Sequence, residues 1–200
     1  MSAIVLNQVD PQKRRMLVAA TAGVGAIAAT SVAIPFALSM KPSARAVAAG
    51  ASVSVPLGTI EPGQMLTVEF RGAPHWILRR TPEMIAQLAK NDALLADPNS
   101  EASSQPAYAK GAARAIKDEW LVLKGVCTHL GCSPTLRKEI GAADLGSDWP
   151  GGFFCPCHQS KFDLSGRVFK GMPAPLNLPI PSYTFVSATS LTIGEDPKGA

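Results

Sequence analysis

Cysteine and histidine side chains concentrate in one part of the sequence. All four cysteines and two of the three histidines fall within two short boxes in the second half of the chain. The boxes read Cys127-Thr-His129-Leu-Gly-Cys132 and Cys155-Pro-Cys157-His158-Gln-Ser160. Thiolate suits zinc and iron–sulfur clusters, and imidazole suits zinc and iron. Such clustering is expected of a metal site rather than of disulfides spread over a small secreted fold.

Ligand type alone leaves zinc and iron open, because two thiolates and two imidazoles satisfy either metal. The spacing adds a constraint, since the loops C-x-H-x2-C and C-x-C-H are too short for all six groups to reach one small ion. A 2Fe–2S centre, with two cysteines on one iron and two histidines on the other, uses four of them. A zinc module is the alternative, and it gives the remaining two cysteines no role.

The order C-T-H-L-G-C followed by C-P-C-H-x-S resembles the signature of Rieske iron–sulfur proteins. The whole chain resembles the Rieske subunits of bacterial cytochrome bc complexes (ubiquinol–cytochrome c reductase), from an anchor and a hinge to a β domain and a proline-rich loop. The resemblance implies one 2Fe–2S cluster per chain. The implied ligands of the inner iron are Cys127 and Cys155. The implied ligands of the outer iron are His129 and His158. The resemblance also implies a disulfide between Cys132 and Cys157.

The resemblance assigns roles to residues around the cluster as well. His158 would contact quinol and accept its proton, and Leu130 would belong to the apolar rim that docks on a partner. Ser160 matches the family serine whose hydroxyl donates to a bridging sulfide. A segment after the second box resembles the proline loop that covers the other side of the cluster, and it reads Gly171-Met-Pro173-Ala-Pro175.

Two positions depart from the family pattern. Phe162 stands where high-potential members carry a tyrosine that donates to a ligand cysteine, so we expect a lower reduction potential than in those relatives. Gln159 stands where glycine is usual. If that position requires a positive φ, glutamine is strained there.

An uncharged stretch runs from Met16 to Met40. As a helix it would reach roughly 37 Å, enough to cross a hydrocarbon core about 30 Å thick. The positive charges at 13–15, against a weaker basic flank behind the stretch, predict a single pass with a cytoplasmic N-terminus and the rest of the chain outside. The resemblance to bacterial subunits implies that this membrane is a bacterial inner membrane and that the Rieske domain is periplasmic. Arg14-Arg15 also resembles a twin-arginine export signal. A signal peptide cleaved near residues 44–46 is the alternative.

The expected fold is an all-β Rieske domain, a small antiparallel β-sandwich with an inserted cluster-binding subdomain, tethered to one transmembrane helix. The predicted segments are a cytoplasmic stretch 1–15, an anchor 16–40, a flexible hinge 41–52 and a Rieske domain 53–200 with its cluster-binding subdomain at about 126–175. Strands are predicted at 65–70, 76–80, 120–124, 183–186 and 191–194, and a helix from Thr81 through Leu95. Residues 97–113 are expected to form a polar surface excursion. His75 is expected in a turn before a strand, as an ordinary surface or core residue.

The charge pattern argues against a nucleic-acid ligand. The net charge is only +4 with 17% charged residues, and aromatic and basic residues do not alternate anywhere. As the resemblance implies, we expect a one-electron carrier that takes an electron and a proton from ubiquinol at a b-type cytochrome and passes the electron to a c-type cytochrome, within a dimeric membrane complex. The alternatives are the Rieske subunit of another exported oxidoreductase, such as arsenite oxidase, and a ferredoxin that serves an oxygenase.

Overall fold

The computed structural model describes residues 10–199 of the chain. The chain separates between Ala48 and Ala49 into an N-terminal helical unit and a β-rich unit. Residues 1–9 of the predicted cytoplasmic stretch, and residue 200 of the predicted Rieske domain, lie outside the described residues. The exact segment boundaries therefore stay predictions.

The N-terminal unit is dominated by helix α1, Pro11–Ser39. Asp10 caps the helix, because its carboxylate accepts a hydrogen bond from the Gln12 amide at 2.9 Å, and proline in the first turn lacks only an N–H that would have no helical partner. The helix is long and apolar enough to cross a membrane, and it buries none of its residues within the described chain. The predicted anchor, 16–40, falls within this helix except for its last residue.

A second helix, α2, Ala44–Ala49, lies inside the predicted hinge. Four of its six residues are alanine, the residue with the highest helix propensity, and all six are exposed. A hinge read as flexible from its composition thus contains a short helix. Because an isolated helix of this length is marginal in water, little holds the segment rigid.

The β-rich unit contains, within residues 10–199, three antiparallel sheets of three strands each. The strands are β1 Val53–Pro56, β2 Met65–Phe70, β3 Ala73–Arg79, β4 Trp120–Lys124, β5 Thr135–Arg137, β6 Gly152–Phe154, β7 Lys161–Phe162, β8 Tyr183–Ser187 and β9 Ser190–Ile193. The sheet orders are β1-β9-β8, β2-β3-β4 and β5-β6-β7. The third sheet is inserted between β4 and β8. The first box precedes β5, and the second box connects β6 to β7. The predicted all-β fold with an inserted subdomain is confirmed.

The five predicted strands are confirmed as β2, β3, β4, β8 and β9, with ends shifted by at most three residues. The strands β1 and β5 to β7 were missed because two to four residues are too few to show an alternating pattern. Helix α3, Pro82–Asn91, begins as predicted after the cap Thr81, but it ends before Leu95, where the chain turns through a 3₁₀ segment, Asp92–Leu94.

One aromatic contact joins the inserted sheet to the rest of the domain. The rings of Trp76 in β3 and Phe153 in β6 stack with centroids 5.2 Å apart and planes 6° from parallel, and both side chains are buried. Such a pair contributes about 0.5–1.5 kcal/mol beyond the area it buries. Gly125, two residues before the first box, lies so close to the Trp76 ring that a Cβ there would collide with it. The stack therefore sets how closely the first box approaches the sheet.

His75 lies inside β3 and not in a turn before a strand, which corrects the expectation for its position. The residue is only 4% exposed, and its Nδ1 lies 3.0 Å from the Ala73 carbonyl. Burial lowers the pKa of His75, and nearby Lys124 lowers it further, while the bond to Ala73 acts in the opposite direction. His75 is thus a neutral core histidine.

We predict that this histidine makes the domain less stable at acidic pH. Below a pH of 6.5 the unfolded chain gains a proton at His75, whereas the folded chain, with its lowered pKa, gains it only at lower pH. The free energy of unfolding should therefore fall more between about pH 7.5 and pH 5.5 in the wild type than in His75→Gln. Urea unfolding of the detergent-solubilised chain at both pH values measures this difference, and equal pH dependence in the two proteins would contradict it.

Candidate metal centre

The two boxes fold into equivalent turns. In the first, the Cys127 amide donates to the Cys132 carbonyl at 2.7 Å, and the Gly131 amide donates to the Cys127 carbonyl at 3.1 Å. In the second, the Cys155 amide donates to the Ser160 carbonyl at 2.9 Å, and the Gln159 amide donates to the Cys155 carbonyl at 2.9 Å. Each turn thus presents a thiol at its first position and closes on itself through two backbone hydrogen bonds.

The equivalence answers the question that the sequence left open at Gln159. Gly131 and Gln159 occupy the same place in their turns, with φ of 86° and 61°. The left-handed region costs a residue with a side chain about 1 kcal/mol, but it costs glycine almost nothing. Gln159 is therefore strained, as the sequence predicted for a position with positive φ.

The first thiols of the two turns are buried and face each other. Cys127 is 3% exposed and Cys155 is 2% exposed, and neither is in a disulfide within residues 10–199. Burial raises the pKa of the Cys127 thiol, the adjacent Cys155 raises it further, and bonds from the His129 amide and the Ser160 hydroxyl act in the opposite direction. Such thiols need a bound cation to become thiolates, which is the state that binds a metal.

The two histidines of the boxes lie side by side, with ring centroids 4.7 Å apart and planes at 87°. The Nδ1 atom of His129 is buried and has no hydrogen-bond partner among residues 10–199. A buried nitrogen left without a partner costs about 1–3 kcal/mol, and a metal bound to that atom removes the cost. His158 is exposed. Two buried thiols and two adjacent imidazoles fit a 2Fe–2S centre with mixed ligation.

A disulfide between Cys132 and Cys157 joins the two turns, with Cα atoms 6.6 Å apart. The bond implied by the resemblance is thereby confirmed. The Cys155 sulfur lies within 4.8 Å of both disulfide sulfurs, so three cysteines could be taken for one metal site. We reject that grouping, because a sulfur already bonded to sulfur offers no thiolate, and the disulfide lies beside the site instead of in it.

Ser160 and the proline loop complete the enclosure of the buried thiols. Ser160 is fully buried, and its oxygen accepts a hydrogen bond from the Ala174 amide at 3.1 Å, which leaves its own O–H free to donate towards Cys127. The Thr128 hydroxyl donates to the Leu176 carbonyl at 2.6 Å. The loop that contains Gly171, Pro173 and Pro175 is thus tied to both boxes.

Phe162 lies in β7 and is fully buried, opposite Phe153 in the neighbouring strand. In extended chain, side chains two residues apart point to the same face. Phe162 comes two residues after Ser160, the residue whose hydroxyl reaches the Cys127 sulfur. A tyrosine at this position would bring a hydroxyl towards the same group of sulfurs.

Buried arginines behind the second box were missed in the sequence. All three are fully buried and surround the turn 163–167, and they are Arg80, Arg114 and Arg167. Arg167 pairs with the buried carboxylate of Asp163 at 2.8 Å, and Arg80 donates to the Ser165 hydroxyl at 2.7 Å. Burial lowers the pKa of Arg80 and of Arg114 to about 10, so both keep their charge at neutral pH. The unused signal in the sequence is an aspartate and an arginine four residues apart directly after β7.

The segment 97–113 lies mostly at the surface, as its polar composition suggested, but it is anchored to the interior at a few points. Ser100 and Ala109 are buried, and Asn177 beyond the proline loop donates to the Asp97 carbonyl at 2.9 Å and to the Ser100 hydroxyl at 3.1 Å. These hydrogen bonds satisfy buried polar groups and hold the segment against the fold, although most of its side chains stay exposed or half-exposed. The segment thereby supports the end of the proline loop.

Comparison with known families bears directly on this site. The family described as "Rieske [2Fe-2S] domain" matches residues 53–184, about two thirds of the chain. The chain belongs to the Rieske family. The resemblance drawn from the two boxes is confirmed, the cofactor of the domain is a 2Fe–2S cluster, and the zinc alternative is set aside. A second family, described as "Ubiquitinol-cytochrome C reductase Fe-S subunit TAT signal", matches residues 6–43.

Relatives among curated proteins cover almost the whole Rieske chain. A protein of Allochromatium vinosum is 55% identical over 188 residues, which cover 94% of this chain and 91% of that one. A protein of Blastochloris viridis is 43% identical over 186 residues, which cover 92% and 94%. Both are named ubiquinol-cytochrome c reductase iron-sulfur subunit. A chain of a structure titled "Hyperthermophilic respiratory Complex III" is 23% identical, with a TM-score of 0.47 and coverage of 86% and 98%.

Family and structure together define the general role of the chain. It is an electron-carrying redox subunit of the ubiquinol–cytochrome c reductase type. The export signal and the apolar helix α1 fit a membrane-anchored, exported bacterial Rieske protein.

We predict that the disulfide stabilises the Rieske domain by about 3.5 kcal/mol, because it closes a loop across a separation of 25 residues. Replacing both cysteines, Cys132→Ser with Cys157→Ser, should lower the free energy of unfolding by about that amount in urea titrations of the solubilised chain. Ala143→Ser, an exposed change within the same loop, is the control and should stay within about 0.5 kcal/mol of the wild type. An unchanged unfolding midpoint in the double variant would contradict the prediction.

We also predict that Phe162→Tyr raises the reduction potential of the cluster. A new hydrogen bond worth about 1–2 kcal/mol more in the reduced state corresponds to roughly 40–90 mV for one electron. An equilibrium redox titration followed by circular dichroism measures the shift. Phe153→Tyr is the matched control, since Phe153 is equally buried but stacks on Trp76, and it should leave the potential near the wild-type value. No upward shift in Phe162→Tyr would remove the proposed effect.

Proposed function

We propose that the chain carries one electron at a time from ubiquinol to a c-type cytochrome, and that the four ligands of its cluster are Cys127, Cys155, His129 and His158. The observation that carries this proposal is the pair of imidazoles beside two buried thiols, one with a buried nitrogen that has no partner within residues 10–199 and one exposed. The names of the two curated relatives supply the quinol and the cytochrome.

The choice of ligands sets the redox properties. When bound, the cluster supplies one-electron chemistry at a potential well above that of ferredoxins with four cysteine ligands. Neutral imidazoles at His129 and His158 account for much of this difference, because they replace two negatively charged thiolates. Ser160 adds to it if its hydroxyl donates to a sulfide, since that bond strengthens when negative charge increases.

His158 is the residue that we propose contacts quinol. Its ring is exposed, so a nitrogen can accept a hydrogen bond from a quinol hydroxyl and then take up the proton as the electron leaves. His129 is less exposed than His158, so it is the poorer candidate for this contact. Electron and proton would thus leave quinol at one place.

We define the tip of the domain as the three loops 128–133, 156–159 and 171–176. These sixteen residues include no Asp, Glu, Lys or Arg. Leu130 at the tip is 72% exposed, and Leu176 is 37% exposed. Removing water from an uncharged, partly apolar surface costs little free energy. The tip is therefore suited to dock on an apolar surface and to exclude water around His158. The proposed partners are a b-type cytochrome with the quinol site and a c-type cytochrome, in a dimeric complex.

The N-terminal unit would keep the domain at the membrane. We propose that α1 crosses the bacterial inner membrane once, with a cytoplasmic N-terminus and the Rieske domain in the periplasm. The basic residues at 13–15 support this orientation, and the disulfide is consistent with an oxidising compartment. The short hinge 41–52 would let the domain move between its two partners.

Low-temperature electron paramagnetic resonance of reduced membranes tests the proposal, with a quinol-site inhibitor added or omitted. The expected result is the anisotropic signal of a 2Fe–2S cluster with cysteine and histidine ligands, with a line shape that the inhibitor changes. The same signal without any response to the inhibitor would favour another exported oxidoreductase. Absence of the signal, with zinc in its place, would overturn the proposed ligation.

A pair of variants sharpens the test. Leu130→Asp places a charge on the exposed apolar residue of the tip, so we expect the signal to persist while its response to the inhibitor is lost. Ile140→Asp is the matched control, because Ile140 is 69% exposed but lies outside the tip, and it should keep both. An equal response in the two variants would contradict docking through the tip.

A further inference from the structure

Comparison of the two equivalent turns identifies one side chain, that of Gln159, which the cluster does not need. Gly131 and Gln159 hold the same position and the same left-handed backbone. A Cβ added at Gly131 would meet no atom within 4 Å, so the first turn shows that this place can be empty. The second turn fills it with a glutamine despite the conformational strain.

The Gln159 side chain makes no hydrogen bond with any of residues 10–199. Its bond to Cys155 runs through the backbone amide, which any residue except proline supplies equally well. Its side chain is exposed, next to the exposed His158. Strained backbone that persists without a local benefit is typical of functional positions, and the inference runs here from the observed outlier to a function.

The surroundings of Gln159 indicate what kind of contact its side chain makes. The tip carries no charged residue, so its docked surface would be dry and apolar apart from a few uncharged polar groups. A carboxamide that loses water in such a surface weakens docking unless a hydrogen bond replaces the water. Because Gln159 directly follows His158, the surface that receives the histidine also receives the carboxamide.

We propose that the Gln159 carboxamide is a docking contact, hydrogen-bonded to an uncharged polar group of the partner that holds the quinol site. A backbone N–H or C=O of that partner suits it best, because a carboxamide both donates and accepts. The contact rests on the proposed function of the chain, and it adds a specificity-determining residue beside the residue that contacts quinol.

The test compares variants of the full chain in the purified complex. The inhibitor-dependent change of the paramagnetic signal is titrated, which measures the equilibrium between docked and undocked domain. Gln159→Ala keeps the strained backbone without the amide, and Gln159→Gly removes both. Each should weaken docking about fivefold, as expected for one lost hydrogen bond, with the signal in the absence of inhibitor unchanged.

Arg71→Gly is the matched control. Arg71 has φ of 52°, is exposed and lies in the turn between β2 and β3, outside the tip. The substitution relieves the same kind of strain and should leave docking at the wild-type value. If Gln159→Ala loses its cluster, Gln159→Gly still measures the loss of the amide, because glycine fits this backbone without strain.

The remaining outcomes each overturn the inference. Docking that is unchanged or stronger in Gln159→Ala would mean that the carboxamide is unpaired in the docked state. Weaker docking in the alanine variant but not in the glycine variant would assign the effect to the backbone. A wild-type signal that does not respond to the inhibitor at all would instead remove the proposed function, and with it the partner on which the contact depends.

Discussion

Two turns from different parts of the chain have to stay opposed, because the proposed ligation of the 2Fe–2S cluster takes a buried thiol and an imidazole from each. The disulfide between Cys132 and Cys157 joins the turns covalently, while the stack of Trp76 on Phe153 attaches their sheet to the rest of the domain. The proline loop then covers the thiols through its bond to Ser160. Most of the inserted subdomain serves this one requirement.

Charged side chains are buried behind the second box, whereas the exposed tip has none. The turn 163–167, behind the second box, contains the buried carboxylate of Asp163 and is surrounded by three fully buried arginines, whereas the exposed tip has no charged residue. Buried charges are tolerated only when they are paired and hydrogen-bonded, as Arg167 and Asp163 are. A tip without charges can lose its water at little cost. The domain therefore places its buried ion pair behind the second box and keeps charged residues away from the surface proposed to dock.

Local patterns were sufficient for much of the fold. The long uncharged stretch predicted α1, and short runs of strand-forming residues between Gly and Pro clusters predicted strands such as β2 and β4 with the correct ends. Thr81 at a capping position predicted the start of α3. The short strands β5 to β7 were not predictable, because two or three residues carry no periodicity and only their pairing makes them strands. Polar composition correctly placed most of the segment 97–113 at the surface, but composition does not reveal that Ser100 and Ala109 are buried.

Residue type and spacing in the two boxes determined the chemistry by themselves: a metal site with mixed thiolate and imidazole ligands, and, through the family resemblance, its cofactor and disulfide. Ligand chemistry is a property of side chains, so it can be read without coordinates. Only the tertiary structure decided which groups are buried. It showed that His129 has a buried nitrogen while His158 is exposed, and that Gln159 occupies the place of Gly131 in an equivalent turn. Burial and backbone conformation depend on contacts between residues far apart in the chain, and a single sequence does not specify those contacts.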